Sequence, residues 1–380
     1  MWIFGVITLC GFAIIALLWL YDPFWLFHKP IFRATTYHSD MRIQAKGIID
    51  SAEFDSVILG SSMMENLSVN EAQEKLGGKW VNLSIQSSDF NERKIIINYL
   101  LKYKNIRKII LSIDSYTLLN GDNSTINKRI DTNIYTNHFW SIHNKLKYYF
   151  NLKFIQCAFR WSSKVECVGN KKDLENITRD DYRSNKQHFG GFTNWGKWQK
   201  DTIVRQYKEY LENNLHPKTT QTRRLSFEQQ KAYLQQTILT IIKENPQIEF
   251  YLIFPPYPRF FYALFPPQEM YHYGRNGKEI FTEIKLILLY LISEVANLKN
   301  TKIYGFDDLD YADNIANYCD WAHHYLDMNS LQLDAIVNDV HILNLQNIDS
   351  YLATMENKIN SYDISPLIEQ IQEWEAQRKQ

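Results

Sequence analysis

Between Asp55 and Asp114 short apolar runs alternate with amphipathic stretches, and this alternation limits the folds open to the chain. "SVILG", "KWVNLSI" and "RKIILSID" are too short for helices and rich in β-branched residues, so they read as strands. Between them, "SVNEAQEKLGG" has a capping box from Ser68 to Glu71 and a Gly77-Gly78 stop. "DFNERKIIINYLLKYKN" places Ile96, Tyr99, Leu100 and Tyr103 at helical spacing. The alternation resumes later. "SFEQQKAYLQQTILTIIKEN" reads as a helix capped by Ser226 with Gln229, followed by the strand "IEFYLIFPP". "EIFTEIKLILLYLISEVANLKN" is a helix, "TKIYGFDD" a strand, and "SLQLDAIVNDV" a closing helix. Strands that alternate with helices pair in parallel, with helices on both faces. The expected fold is α/β: a three-layer α/β/α sandwich with a mainly parallel sheet. In such sheets ligands gather at the carboxyl ends of the strands.

Met1–Tyr21 carries no charged side chain and is long enough to cross a bilayer. A cleaved signal peptide would have a basic start and a small-residue cleavage site, and neither is evident. Cys10, in "ITLC", lacks the small residue that precedes a lipoprotein cysteine. Residues 1–21 are therefore expected to be a retained transmembrane anchor and 22–50 a membrane-proximal connector. Residues 51–346 are expected to form the α/β domain, with an aromatic-rich insert at about 120–224, and 347–380 a helical tail interrupted by Pro366. The insert, with "HFWSIHNKLKYYF" and "GGFTNWGKWQ", is expected to cap the sheet with helices and loops; His138, His143 and His188 read as ordinary insert residues.

Lys29, Arg33, Arg42 and Lys46 follow the anchor, and by the positive-inside rule they favour a cytoplasmic domain. A long domain can be exported against such a bias. Cys157 and Cys167, ten apart, can pair if the domain lies outside the cytoplasm, leaving Cys319 over. Lys+Arg and Asp+Glu both number 42, so a broad nucleic-acid-binding face is not expected. Aromatics reach 14%, which leans weakly toward carbohydrate.

Gly60-Ser61-Ser62 follows the first strand. A pair of serines there is ordinarily a turn. It can also present a nucleophile to backbone N–H groups that stabilise an oxyanion. The second element is "NYCDWAHHYLDMNS", with Asp320 three residues before His323 and just ahead of the last core helix. An Asp-x-x-His pair supplies a base and the carboxylate that orients it. Read alone, Asp320-x-x-His323-His324 also fits a metal fragment, but adjacent histidines diverge and no other cluster supplies the remaining ligands. No metal or cofactor is expected. There is no Gly-x-Ser-x-Gly, Gly-x-Gly-x-x-Gly or P-loop motif.

Taken together, the two elements resemble the SGNH/GDSL hydrolase superfamily, whose first block ends in the nucleophilic serine and whose last block is Asp-x-x-His. Ser62 takes the nucleophile's place, with Asp320 and His323 completing the triad. The second block usually carries a glycine, and here Ser87 or Ser88 of "VNLSIQSSDFNE" stands near it. The third usually reads Gly-x-Asn-Asp, and "LSIDSY" offers Asp114 with no asparagine. A carboxylate does not donate to an oxyanion unless protonated, so Asp114 is expected to orient or recognise. The anchor, the Gly-Ser-Ser block and the Asp-x-x-His ending resemble a membrane-anchored subgroup. It includes the D-alanine-transfer protein of lipoteichoic acid synthesis and the alginate O-acetylation proteins. That resemblance implies a serine esterase or O-acyltransferase acting on a cell-envelope glycan, in the periplasm or at the cell surface, with a membrane O-acyltransferase as partner. "FPPYPRFFYALFPP" follows a strand and reads as a core plug or as a substrate-facing wall with Arg259 as polar handle. The competing expectation is an inactive binding or assembly protein on the same fold, with Ser62 a turn residue.

Overall fold

A computed structural model of the chain describes residues 2–120, 132–135, 141–215, 225–264 and 277–379. The first half runs α1 (Trp2–Tyr21), α2 (Met41–Ser51), β1 (Ser56–Leu59), α3 (Val69–Leu76), β2 (Trp80–Asn82), α4 (Phe90–Tyr103), β3 (Lys108–Ser112) and α5 (Ser115–Asn120). The insert supplies α6 (Ser141–Tyr149), α7 (Leu152–Phe159), α8 (Val165–Val168) and α9 (Lys197–Leu215). Then come α10 (Phe227–Leu234), a π-turn, α11 (Thr240–Glu244), β4 (Glu249–Phe254), α12 (Arg259–Leu264), α13 (Gly277–Val295) and β5 (Thr301–Gly305). The chain closes with α14 (Leu326–Asn338), β6 (Ile342–Leu343), α15 (Ile348–Ser361) and α16 (Ser365–Lys379).

The six strands form one sheet in the order β2-β1-β3-β4-β5-β6. The first five are parallel, and β6 joins β5 antiparallel. Alternate side chains serve two separate cores. Val57, Leu59, Ile109, Leu111 and Leu252 pack with Ile96 and Leu100 of α4, Ile284 and Leu288 of α13, and Leu352 of α15. Ile58, Ile110 and Ile253 pack with Ala72 of α3 and Leu333 and Ile336 of α14. Both faces are therefore covered, which is why the strands read as continuous apolar runs. The sandwich has three layers, as the sequence predicts. Truncating one inner residue, such as Ile110→Ala, would cost on the order of 2–5 kcal/mol.

Ser226 and Gln229 form the reciprocal capping box. At α3 only half of one forms: Ser68 accepts from the Glu71 N–H, while the Glu71 carboxylate turns to Lys75 and Ser330. Gly77 and Gly78 end the helix at φ +66 and +84. β6 is two residues long and gives no sequence signal. The tail is two helices, not one interrupted helix. Pro366 is the second residue of α16, where its missing N–H costs nothing, and the break lies before it. Tyr351, Met355, Leu367 and Ile371 join the first core.

Among the described residues, α1 is the one helix long and apolar enough to cross a membrane by length and composition. Its last turns are not loosely attached. Leu18 and Tyr21 are buried in a third cluster with Tyr149, Phe154, Cys157 and Ala158. The Asp22 carboxylate accepts the N–H groups of Leu26, Phe27 and His28 and the Tyr149 hydroxyl. Arg33 donates to the carbonyls of Tyr21, Asp22 and Pro23 at the helix end. Cys157 and Cys167 are disulfide-bonded, tying α7 to α8.

Candidate active site

The site begins where β1 stops. The chain passes from β1 to β2 on one side and then crosses back from β2 to β3 on the other, so the carboxyl end of β1 is the switch point where α/β sheets bind ligands. Gly60 is required there by close approach. A Cβ would lie 2.5 Å from Met64 Cγ and 2.6 Å from Ser112 Oγ. The Gly60 carbonyl accepts the Ile85 N–H and the Ser88 hydroxyl, which fixes the β2–α4 turn beside the β1 end.

The two serines then separate. Ser61 is extended and caps the 3-10 turn Ser62–Met64. Its hydroxyl accepts the Met63 N–H and donates to Asp114 Oδ2 at 3.0 Å, so it faces inward. Ser62 opens the turn, which leaves its N–H without an acceptor inside the turn. Its Oγ lies 2.8 Å from His323 Nε2. On the other side of the ring, His323 Nδ1 is 2.8 and 2.7 Å from the two Asp320 oxygens. Asp320 Oδ1 also accepts the N–H groups of Ala322 and His323, which locks the loop between β5 and α14.

This geometry sets the tautomer. Nδ1–H donates to the carboxylate, and the Nε2 lone pair faces the Ser62 hydroxyl. Burial alone would raise the Asp320 carboxyl, but the His323 ring outweighs it, helped by the Arg183 charge and the His323 N–H, and holds it at about 2. Burial and the positive Arg183 push His323 below its ordinary value, against the pull of Asp320. The shift favours the neutral imidazole, the form a proton acceptor must have.

The pocket over Ser62 is lined by Met63, Asn66, Arg183, His323, His324 and Asn329 and encloses about 10 Å³, roughly one water. Arg183 donates to Glu65 at 2.8 Å. Burial pushes the Glu65 carboxyl up to about 7 despite that pairing. The Asn66 side-chain oxygen accepts the Asp180 N–H, and among the described residues its amide N–H₂ is left to serve the pocket. His324 donates from Nδ1 to the Tyr325 carbonyl, and its buried Nε2 has no partner among the described residues. A neighbouring cleft of about 470 Å³ is lined by Ser39, Asp40, Arg42, Glu65 and Gln86.

Three residues named from the sequence stand elsewhere. Asp114 does not line the pocket. It is buried beneath the Ser62 turn, where it accepts from Ser61, Ser112 and Thr117 and pairs with Arg93 at 3.3 Å. Arg259 is no substrate handle. It is buried and donates to Asp307, Asp313 and the Leu309 carbonyl, latching the segment after β4 to the one after β5. Its proline-rich loop is described only to Leu264, so residues 265–267 lie outside the described residues, as does His138. Ser87 is half-exposed with φ +55, the left-handed region where glycine is cheapest, and it does not line the Ser62 pocket. Of the other two insert histidines, His143 is exposed on α6 and His188 stacks on Tyr182.

Sequence reasoning missed Arg183, Asn66 and Asn329, and weighed His324 only as part of a metal fragment. Arg183 is brought in by the insert, which also holds Asn66 through the Asp180 N–H. Thr178 donates to the Glu65 carbonyl, Asp180 bonds Asn66, Tyr182 donates to the Cys319 carbonyl, and Trp195 donates to the Tyr318 carbonyl. One segment therefore bridges the Ser62 turn and the His323 loop. The only signal was a "DDYR" run in an aromatic stretch, which nothing marks as chemical.

No family model matches the chain, and no curated protein matches it. Among solved structures, one described as "a putative platelet activating factor from Streptococcus pneumonia" is 12% identical, with 78% of this chain and 91% of that chain covered and a TM-score of 0.36. That relation is too distant to carry a fold or an activity to this chain.

Proposed function

We propose that the protein is a membrane-anchored serine esterase or O-acyltransferase that works through an acyl-enzyme. The observation that supports this most is the continuous relay from Ser62 Oγ through His323 to Asp320, with both links under 3 Å. His323 Nε2 takes the Ser62 proton as Oγ attacks an ester carbonyl carbon. The oxyanion is held by the Ser62 N–H and the Asn66 amide, in place of the asparagine the third block lacks. His323 returns its proton to the leaving alkoxide, and the acyl group stays on Ser62. Water then completes an esterase cycle; a glycan hydroxyl completes a transfer. The pocket as it stands holds about one water, so it excludes a long acyl chain and must widen to take even an acetyl; the larger polar cleft beside it suits a sugar. The Cys157–Cys167 bridge favours a domain outside the cytoplasm. A membrane O-acyltransferase is the partner proposed to supply acyl groups. A periplasm-active reporter fused after Gln380 tests the location, and a cytoplasmic signal overturns it.

The small volume of the pocket over Ser62 favours one competitor, an inactive binding protein on the same scaffold. A fluorophosphonate separates the two. The enzyme forms a covalent adduct on Ser62 that is lost in His323→Ala; a binding protein forms none. With acetyl esters, Ser62→Ala and His323→Ala should each lose at least about a thousandfold in turnover. Turnover that survives Ser62→Ala overturns the mechanism.

A further inference from the structure

The N-terminal helix is too short to stand clear of the domain it carries. If α1 spans, its twenty residues reach about 30 Å, the whole hydrocarbon thickness, with nothing to spare. Yet its last half is occupied. Ile14, Leu17, Leu18 and Tyr21 turn one stripe toward α6 and α7. Ile14 lies seven residues before Tyr21, about 10 Å along the axis. Whatever packs beside Ile14 therefore sits about 10 Å inside the point where α1 leaves the lipid.

The outer surface of that packing fits such a depth. α7 buries Phe154, Cys157 and Ala158 inward, while Leu152 and Phe159 point out at 77% and 64% exposure. Ile155, half-buried, lies between them and packs at the edge of the third cluster. Phe150 and Val165 are also exposed, as are Ile31 and Phe32 of the connector. These segments are tied together: Trp161 Nε1 donates to the Phe32 carbonyl, and the disulfide joins α7 to α8. Single exposed apolar residues need no explanation, but a joined group around a membrane helix does. Residues 141–168 also hold Lys145, Lys147, Lys153, Arg160 and Lys164 against one carboxylate, Glu166, the charge that suits anionic headgroups.

We infer that α7, its flanks and the Ile31–Phe32 loop form a second membrane contact, seated in the leaflet beside α1. The occupant of this face is the lipid bilayer. The inference goes beyond the proposed activity and rests on α1 spanning. Its consequence is a fixed orientation: α1 is clasped, so the domain cannot swing on a tether, and the Ser62 pocket is held at one height above the membrane.

The test uses the full chain in nanodiscs of phosphatidylcholine and phosphatidylglycerol, without reductant. Cys10→Ser removes the exposed thiol. Leu152→Cys and Phe159→Cys carry a bimane label, with Phe12→Cys as the α1 control and Lys302→Cys as the water-exposed control. Doxyl groups on the acyl chains should quench Leu152→Cys and Phe159→Cys to an extent comparable with Phe12→Cys, and leave Lys302→Cys bright. If Phe12→Cys is quenched while positions 152 and 159 stay bright, the second contact is overturned with the anchor intact, and the face belongs to a protein partner. If Phe12→Cys itself stays bright, the span is overturned and the inference falls with it. Neither result touches fluorophosphonate labelling of Ser62, so the proposed activity is judged separately.

Discussion

The Ser62–His323–Asp320 relay and the insert that roofs it meet at one pocket but are built differently. The relay joins residues 261 positions apart through short side chains on loops fixed by the sheet edge and by Asp320's own N–H contacts. The insert reaches the same place with long or aromatic side chains, Arg183, Tyr182 and Trp195, bonded mostly to backbone carbonyls. The relay needs particular residue types at fixed spacing because the proton transfers need them. The insert needs only a donor at the right place, and many sequences supply that. Chemistry leaves motifs; roofing leaves few.

The sharpest way to break this contrast is at Asp320. Asp320→Asn keeps the shape but not an obligate acceptor for Nδ1–H, so the imidazole loses its tautomer. Turnover of an acetyl ester should fall about 10³–10⁴-fold with the far-ultraviolet spectrum unchanged. A loss of tenfold or less would mean that the carboxylate is only part of the loop's folding.

The next largest effect is on stability. Asp114 and Arg93 are both fully buried and paired. Asp114→Ala leaves the guanidinium without its counter-charge and should cost about 3–5 kcal/mol in chemical denaturation. Burial opposes ionisation of Asp114, but Arg93 and the Thr117, Ser112 and Ser61 bonds outweigh it and depress the carboxyl below its ordinary value. Its stabilisation is therefore present above the unfolded-state carboxyl range and is lost as pH falls through the depressed folded value. Asp114→Asn should flatten that acid-side loss. If the acid limb of stability keeps its slope, other carboxylates dominate it.

Arg183 tests the insert's share. Arg183→Met removes a positive charge that helps hold His323 down, so the ring should protonate at higher pH. The acid limb of the pH–rate profile should move upward, with a loss at neutral pH on the order of tenfold. A loss of rate with no movement of the limb would assign Arg183 to substrate holding alone.

The same contrast explains what was legible in the sequence. The five parallel strands were readable because burial on both faces forces unbroken apolar runs such as "SVIL" and "FYLIF". β6 was not, since two residues carry no period. Ser62, Asp320 and His323 were readable as a constellation, but the sequence did not decide what Asp114 touches. Its partner Arg93 lies on α4, in a stretch whose periodicity already accounts for it as a helix. The charges after α1 were readable only as a topology bias. In the fold, Arg33 caps α1, Arg42 pairs with Glu92 at 2.7 Å, and Lys46 pairs with Asp50. Three of the four thus have structural reasons to be basic.

The smallest effect is expected at Ser61, and it is the most discriminating between neighbours. Both hydroxyls of the pair sit at one short turn, and in the sequence only the resemblance of Gly60-Ser61-Ser62 to the hydrolase first block prefers Ser62. The Ser61 hydroxyl is consumed as the cap of the Ser62–Met64 turn and as a donor to Asp114. Ser61→Ala should therefore cost about 1 kcal/mol of stability, as lost helix caps do, and leave esterase turnover within a few-fold of wild type. Ser62→Ala should show the reverse: near-normal stability and no acyl-enzyme. Denaturation midpoints and fluorophosphonate labelling on the two variants, measured side by side, read both quantities. If Ser61→Ala abolished labelling while Ser62→Ala kept it, the turn would present its other serine in solution, and the relay drawn through Ser62 would have to be redrawn through its neighbour.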